Sequence, residues 1–281
     1  MNILTFDLED WFHILDFEDT AFPVQWSKYE SRIEKNTERI LDLLDKHKLT
    51  ATFFCLGWIA KRYPELIRKI SVKHEIACHS MDHQLLYLQS KDAFKRDLNK
   101  CVSLLENTTG KKVVAYRAPG FSFSRNHDYV LEELNRLEIK IDCSVFPVER
   151  NHGGIGDFPI QKPCMLYSNK FEIVEFPLNT ALVFSKPIVF SGGGYFRFLP
   201  YPMIKNWMKQ TDYVMTYFHP RDFDPGQPRL HNLPLKRRIM SYTGLDTSFV
   251  KLDKLFCDFK FVSLLKAYNS LDLALLPKVK L

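Results

Sequence analysis

The sequence of 281 residues lacks the features that define several classes of protein. Its six cysteines are scattered and form no CxxC pair, and we interpret them as free and mostly structural thiols. No segment reaches the ~20 consecutive apolar residues that span a bilayer. No basic stripe is interleaved with aromatic residues, so nucleic-acid binding is not expected.

The amino terminus also lacks a basic leader followed by an apolar stretch, because Asp7, Glu9 and Asp10 interrupt the first apolar run. We therefore expect a cytoplasmic protein. The formal net charge of +6 is mild. It is compatible with an acidic substrate or with peripheral association at the inner face of a membrane, and it does not decide between them. The sequence leaves the oligomeric state open.

What the chain does contain is the composition of a globular protein. Hydrophobic residues make up 46% of it and charged residues 26%, which is enough apolar material to bury a core. No linker rich in proline or serine divides the chain, and no internal repeat is present. The sequence therefore predicts one domain over residues 1–281.

Strand-like and helical segments alternate through the first half of the chain. The strand-like runs cover residues 3–6, 51–57, 75–78, 113–116 and 139–141. Helical segments lie between them, among them one that Ser90 caps and Gly110 follows. Repeated strand–helix units predict a parallel sheet, which we expect to close into a barrel, with an open doubly wound sheet as the alternative.

The pattern loosens from about residue 150. Glycine-rich stretches at residues 151–156 and 191–194 are predicted to be loops. Strands are predicted at residues 171–176, 213–218 and 259–264, and helices at 201–210 and 248–255.

Polar residues stand where the strand-like runs stop. These residues are Asp7, His79, Arg117, Asp142 and His219. In parallel sheets and barrels, ligands bind beyond the carboxyl ends of the strands. We therefore expect these side chains to meet in one site.

Two of these strand ends carry residue types that suit a metal ion. Asp7, Glu9 and Asp10 follow one apolar run, and His79 and His83 follow another. A carboxylate with paired imidazoles is a ligand set for a divalent metal that keeps a position open for water. The pattern predicts a metal-dependent hydrolase. It leaves open whether Glu9, on the same side of a continuing strand as Asp7, or Asp10, beyond a turn, is the metal carboxylate.

Four motifs in this order resemble those of a known family. They are Phe6-Asp7-Leu8-Glu9-Asp10, His79-Ser80-Met81-Asp82-His83, Arg117-Ala118-Pro119-Gly120 and Tyr217-Phe218-His219-Pro220. Together they resemble the polysaccharide deacetylases, the NodB-homology group of carbohydrate esterase family four. The stretches 192–201 and 218–229 are similar to the subgroup associated with exopolysaccharide and surface-glycan assembly. The resemblance covers a motif core of about residues 1–225, which leaves about 226–281 as a carboxy-terminal completion.

The resemblance implies an α/β fold, a distorted barrel of seven or eight mostly parallel strands. It also implies hydrolysis of an N-acetyl group from an amino sugar. Asp7 would be the base, Arg117 its orienting partner and His219 the acid, while His79 and His83 would hold the metal. Backbone N–H groups in residues 118–121 would stabilise the oxyanion. For the metal carboxylate we prefer Asp10 slightly over Glu9, because a short carboxylate suits a site built for aspartate.

The implied substrate is an N-acetylated sugar, an oligosaccharide or a lipid-linked glycan. The residues expected to line its site are Trp11, Pro119, Gly120, Phe121 and Tyr195. Zinc is the first choice of metal, with cobalt, nickel or iron as alternatives. Two other functions stay open: an allantoinase-like C–N hydrolase on the same fold, and a catalytically silent glycan-binding protein.

Overall fold

In the computed structural model, residues 1–15, 17–150, 152–230 and 232–281 are described, without the side chain of Lys236. The strands of these ranges are β1 Asn2–Ile3, β2 Thr5–Leu8, β3 Thr52–Cys55, β4 Glu75–Cys78, β5 Ala115–Tyr116, β6 Ile141–Asp142, β7 Cys164–Ser168, β8 Phe171–Glu175, β9 Thr180–Val183, β10 Lys186–Val189, β11 Val214–Met215 and β12 Lys278–Lys280. The α-helices are α1 Pro23–Trp26, α2 Ile33–His47, α3 Gly57–Arg62, α4 Pro64–Lys73, α5 Lys91–Thr109, α6 Asp128–Arg136, α7 Gly193–Phe198, α8 Tyr201–Lys209, α9 Leu235–Tyr242, α10 Leu245–Asp258 and α11 Leu264–Asn269.

Eight strands form the central sheet in the order β12–β7–β8–β6–β5–β4–β3–β2. All neighbouring pairs are parallel except β7 and β8. Strand β1 pairs in parallel with β11, and a bridge between Phe6 and Phe218 continues that pairing beside β2. The sheet therefore curves back past its own first strand, and the predicted α/β fold with a mostly parallel barrel sheet is confirmed.

The two faces of the sheet are covered differently. On the outer face, apolar residues of helices α2 to α6, such as Leu66 of α4, form one buried cluster with sheet residues such as Phe53. The inner face closes on itself around Phe54, Ala77 and Ile141, and helix α11 contributes Leu264. A doubly wound sheet would carry helices on both faces, so the open alternative is not supported.

Local signals account for the helix boundaries of the first half. The Ser90 hydroxyl accepts the Ala93 N–H at 3.2 Å at the start of α5. Gly110, with φ of 68°, ends the same helix in the left-handed conformation that glycine adopts readily. Pro64 opens α4, where a missing N–H costs nothing.

The structure of the second half of the chain differs from two of the predictions made from the sequence. Residues 259–264 do not form the predicted strand, because only Val262 bridges to Ile3 and Leu264 already begins α11. The predicted loop at 191–194 becomes helical from Gly193, while the loop prediction at Asn151 lies outside the described residues. No helix of the described ranges is both long and apolar enough to cross a bilayer.

Candidate active site

The strand register places the predicted residues on the inner face at the carboxyl end of the sheet. Cys55, Cys78 and Tyr116 are register partners on adjacent strands, so His79 and Arg117 follow at the same level. Side chains alternate along a strand, and these two therefore share the inner face with Ala77 and Ala115. Asp7 pairs in register with the inner-face residue Phe54.

Glu9, His79 and His83 come together as a candidate metal centre. The Glu9 Oε1 atom lies 3.0 Å from the Nε2 atoms of both histidines, and all three side chains are buried. The Nδ1 of His79 lies 2.8 Å from the Arg117 carbonyl oxygen, to which it donates, and this directs Nε2 into the site. Although it lies 3.0 Å from Glu9 Oε1, the buried Nε2 of His83 makes no hydrogen bond of good geometry with any described residue. An orphaned imidazole nitrogen beside a carboxylate fits a divalent cation.

Burial by itself would raise the pKa of Glu9. The charges of His83 and His219, with the close contacts of His79 and His83, instead hold that pKa well below its ordinary value. Glu9 is therefore the ionised ligand that a cation at this position requires.

The loop after β4 returns His83 to the site. Ser80 and His83 adopt φ values of 73° and 54°, a region that non-glycine residues rarely occupy. Asp97 on α5 holds the loop, since its carboxylate accepts the Met81 N–H at 2.9 Å and the Asp82 N–H at 3.1 Å. Strained backbone of this kind persists where surrounding contacts enforce it.

The structure corrects the preference for Asp10 as metal carboxylate. Asp10 accepts the Trp11 N–H at 2.8 Å, the Arg32 N–H at 3.0 Å and the Ser31 hydroxyl. These contacts direct its carboxylate toward the segment that directly precedes α2. Glu9 continues the two-residue period of β2 and faces the histidines.

Asp7 and Arg117 form a buried pair, as expected. Arg117 Nη1 donates to Asp7 Oδ1 at 2.5 Å and to the Thr5 hydroxyl at 2.9 Å. Its Nε donates to the Cys143 carbonyl at 3.3 Å, and the guanidinium lies 4.0 Å from the centroid of the Phe54 ring. The guanidinium is therefore held from several sides, and it fixes the position of the Asp7 carboxylate.

His219 faces both acidic residues. Its Nε2 lies 3.8 Å from Asp7 Oδ2 and 3.9 Å from Glu9 Oε1. Its Nδ1 lies 2.9 Å from Asp222 Oδ2, while Arg197 Nε donates to Asp222 Oδ1 at 3.0 Å. Burial lowers the pKa of His219, but the charges of Asp222, Glu9 and Asp7 outweigh it and raise the pKa to about 9.

Asp142 is buried beside Arg117. Among the described residues it forms no hydrogen bond or ion pair with His219. Its Oδ1 accepts the Ser144 hydroxyl at 2.5 Å. Burial raises the pKa of Asp142 and of Glu175, its register partner on β8. A supporting role for Asp142 behind Arg117 is consistent with this position.

The residues expected to line the substrate site divide into two groups. Trp11 and Phe121 are buried, at 4% exposed each, and Pro119 is buried too. Trp11 donates its indole N–H to the Glu30 carbonyl at 2.9 Å, so it packs in the core and does not line the substrate site as expected. Gly120 and Tyr195 are partly exposed and stay available to a ligand.

Gly120 occupies a tight turn. Its φ is 58°, and an added Cβ would lie 2.5 Å from Leu15 Cδ1. The Ala118 N–H donates to the Ser144 hydroxyl at 2.8 Å, and the Phe121 N–H donates to the Ala118 carbonyl at 3.0 Å. Two of the amides expected to stabilise an oxyanion are therefore used within the protein.

Sequence reasoning missed the residues that position the site. Asp222 and Arg197 lie inside stretches 192–201 and 218–229, which resemble the family, but the resemblance assigned neither residue a role. Asp97 and Glu175 gave no signal, because they lie in an ordinary helix and an ordinary strand. His13 was also missed; it is buried near His83, with ring centroids 6.0 Å apart.

A second cluster of potential metal ligands lies elsewhere, formed by His47, Asp253 and Cys257. Lys46 Nζ lies 2.8 Å from Asp253 Oδ1 there and already balances its charge. Cys257 is the exposed member of the six cysteines, all of which are free thiols. We assign this cluster no role in the reaction.

Comparison with known proteins agrees with this geometry. Residues 13–139 match the family model for polysaccharide deacetylase, and residues 143–269 match a domain of unknown function, DUF3473. Over residues 13–139, which are less than half of its length, the chain is therefore similar to the polysaccharide deacetylases that its motifs resemble.

Individual relatives carry related descriptions. The chain is similar to the peptidoglycan-N-acetylmuramic acid deacetylase PdaA of Bacillus subtilis, at 37% identity over 36% of this chain and 38% of that protein. It is also similar to a chitooligosaccharide deacetylase of Rhizobium leguminosarum bv. trifolii, at 37% identity over 23% of this chain and 30% of that protein. The chain thus spans well under half the length of both relatives.

A solved structure shares the fold over nearly its full length. This is a protein from Mycobacterium smegmatis provisionally described as a polysaccharide deacetylase. The TM-score is 0.67 at 18% sequence identity, and the match covers 100% of this chain and 92% of that one. Asp7 and Glu9 precede the first matched range and His219 lies in the second, so the site draws on residues beyond the deacetylase match alone.

Proposed function

We propose that this protein is a metal-dependent hydrolase that removes an N-acetyl group from an amino sugar in a glycan or glycolipid precursor. The observation that carries the proposal is that the candidate metal ligands and the candidate proton-transfer residues meet at one site. His79 and His83 meet Glu9 there, and Asp7 and His219 stand 3.8 Å apart beside them. An N-acetyl amide needs an activated water, a stabilised oxyanion and a protonated leaving amine, and this arrangement offers a group for each.

Glu9, His79 and His83 would hold the cation, and zinc suits this set of one oxygen and two nitrogen ligands. Cobalt, nickel or iron would fit the same donors, and the availability of each metal would then decide which one is bound. When bound, a divalent cation lowers the pKa of water from 15.7 toward ~7 and polarises a carbonyl group.

The protein's own groups would move the protons. Asp7, held in place by Arg117, would take a proton from the attacking water. His219 is protonated at neutral pH, since its pKa is about 9, and would give its proton to the amine as the C–N bond breaks. The products are acetate and a free amino sugar. In the turn of residues 118–121, the Gly120 N–H is the candidate that remains to donate a hydrogen bond to the oxyanion.

Relatives support the class of substrate. PdaA is described as acting on peptidoglycan N-acetylmuramic acid, and the Rhizobium protein is described as acting on chitooligosaccharide. We propose an N-acetylated sugar as oligosaccharide or lipid-linked glycan for this protein. We further propose that residues 1–281 act as one domain in the cytoplasm, where peripheral contact with the membrane would bring it to a lipid-linked substrate.

Acetate release from N-acetylglucosamine oligomers, measured with added zinc or cobalt and after chelation, tests the reaction. We expect turnover that chelation abolishes and metal restores. His79→Ala should remove both bound metal and turnover, whereas Asp7→Asn should keep the metal and lose turnover by on the order of 10²- to 10⁴-fold. Ammonia or ring opening in place of acetate would point to an allantoinase-like hydrolase, and sugar binding without turnover to a silent glycan-binding protein.

A further inference from the structure

The Arg221 guanidinium lies beside the active site and has no partner among the residues that the structure describes. Arg221 belongs to the short 3₁₀ helix Pro220–Phe223 that follows His219, and its side chain is partly exposed. Its backbone carbonyl accepts a hydrogen bond from Gln227 at 2.8 Å. Within the described residues, the guanidinium itself makes no hydrogen bond and no ion pair.

The charges around Arg221 locate it on the Glu9 side of the site. Burial and the neighbouring positive charge of Arg197 together lower the pKa of Arg221 to about 10, although Asp222 and Glu9 act to raise it. Arg221 in turn contributes to lowering the pKa of His13 and Asp222. The guanidinium is therefore near the metal ligands, in surroundings that disfavour an unpaired cation.

Among the described residues, the neighbouring carboxylates of Asp222 and Glu9 are both engaged elsewhere and do not neutralise Arg221. Both oxygens of Asp222 are taken, one by Arg197 and the other by His219. Glu9 faces His79 and His83. A partly buried guanidinium with no anion is costly, and such groups are normally paired.

We propose that Arg221 binds an acidic group of the substrate, a carboxylate or phosphate carried on or next to the N-acetylated sugar. This inference rests on the proposed function and narrows it from amino sugars in general to acid-bearing ones. A guanidinium matches both anions with two parallel N–H donors, which a lysine ammonium does not. Arg221 would thereby orient the sugar relative to Asp7 and His219.

Paired substrates test this binding site. The kcat/KM values for acetate release are compared for a neutral N-acetylglucosamine oligomer, an oligomer containing N-acetylmuramic acid, and N-acetylglucosamine joined to phosphate. The wild type should prefer at least one of the two acid-bearing substrates. Arg221→Gln should lower that preference at least tenfold, chiefly through KM, and Arg221→Lys should restore part of it.

The matched control is Arg96→Gln, which removes an exposed arginine on α5. It should leave the preference unchanged. Raising the salt from about 0.05 M to about 0.5 M should weaken the preference in the wild type, because salt screens the charge pair. Equal preference in the wild type and Arg221→Gln would overturn the inference, as would equal loss in Arg96→Gln.

A binding measurement separates this inference from the proposed reaction. Calorimetric titration of metal-loaded protein with inorganic phosphate, N-acetylglucosamine and N-acetylglucosamine 1-phosphate reports affinity without turnover. Loss of affinity for the two phosphates in Arg221→Gln would support the inference even if no acetate is released. Unchanged affinity would refute it, since the anion would then be bound elsewhere, for instance by the metal. Acetate release from the neutral oligomer separately decides the proposed function.

Discussion

His219 and Asp222 are joined by a 2.9 Å contact between Nδ1 and Oδ2 across one short turn. The same oxygen accepts the backbone N–H of His219 at 2.9 Å. Arg197 holds the other oxygen, and its Nη1 and Nη2 bind the carbonyls of Ser241 and Met240. The carboxylate therefore sets the tautomer of His219 and leaves Nε2 to face Asp7.

Asp222→Asn should shift the pH dependence of the reaction. Asp222 is the strongest of the charges that raise the pKa of His219 to about 9, so its neutralisation should lower that pKa. His219 must be protonated to act as an acid, and the alkaline limb of kcat/KM should therefore move to lower pH. Asp224→Asn is the control, because Asp224 pairs with Arg32 away from His219. An alkaline limb unchanged in Asp222→Asn would rule out His219 as the acid.

Glu9→Gln should lower the metal content, whereas Asp10→Asn should lower the stability of the fold. Glu9→Gln should reduce bound metal strongly, because the ionised oxygen between the histidines is lost. Asp10→Asn should retain the metal but lose about 1–3 kcal/mol of unfolding free energy, since buried hydrogen bonds to Ser31 and Arg32 are weakened. Elemental analysis and denaturant unfolding measure the two quantities. The reverse pattern would restore Asp10 as the ligand.

Arg117→Lys should reduce kcat more than it changes KM. A lysine cannot donate to Asp7, Thr5 and the Cys143 carbonyl together, so the base would lose its fixed position. We expect a loss on the order of 10²-fold in kcat with metal content retained. Steady-state kinetics with metal analysis checks this. A variant that loses its metal instead would show that the Arg117 side chain also fixes the position of its own backbone carbonyl, which His79 contacts.

Trp11→Ala should destabilise the fold rather than weaken sugar binding alone. The indole is 4% exposed and packs against Phe12 and Tyr29. Removing it should cost about 3–5 kcal/mol of unfolding free energy. Thermal or denaturant unfolding measures this loss. Wild-type stability with a raised KM would instead show that Trp11 contacts the substrate.

The first half of the fold was predictable because its units are local. Strands β2 to β5 are short apolar runs, and helices such as α5 carry their own caps, Ser90 and Gly110. The second half gave weaker signals. The hairpin of β9 and β10 turns through Phe184 and Ser185, both with positive φ, and no glycine, asparagine or aspartate marks that turn. Strand β12 pairs with β7 across more than a hundred residues, so no local pattern predicts it.

The sequence by itself determined which groups could perform the chemistry. Asp7, His79, Arg117 and His219 stand at strand ends, and parallel strands bring their carboxyl ends to one edge. Only the tertiary structure decided how these groups are used. Ser31 and Arg32 bind Asp10 and leave Glu9 to the histidines, and Asp222 with Arg197 orients His219. Such choices depend on contacts between segments distant along the chain, which strand periodicity does not encode.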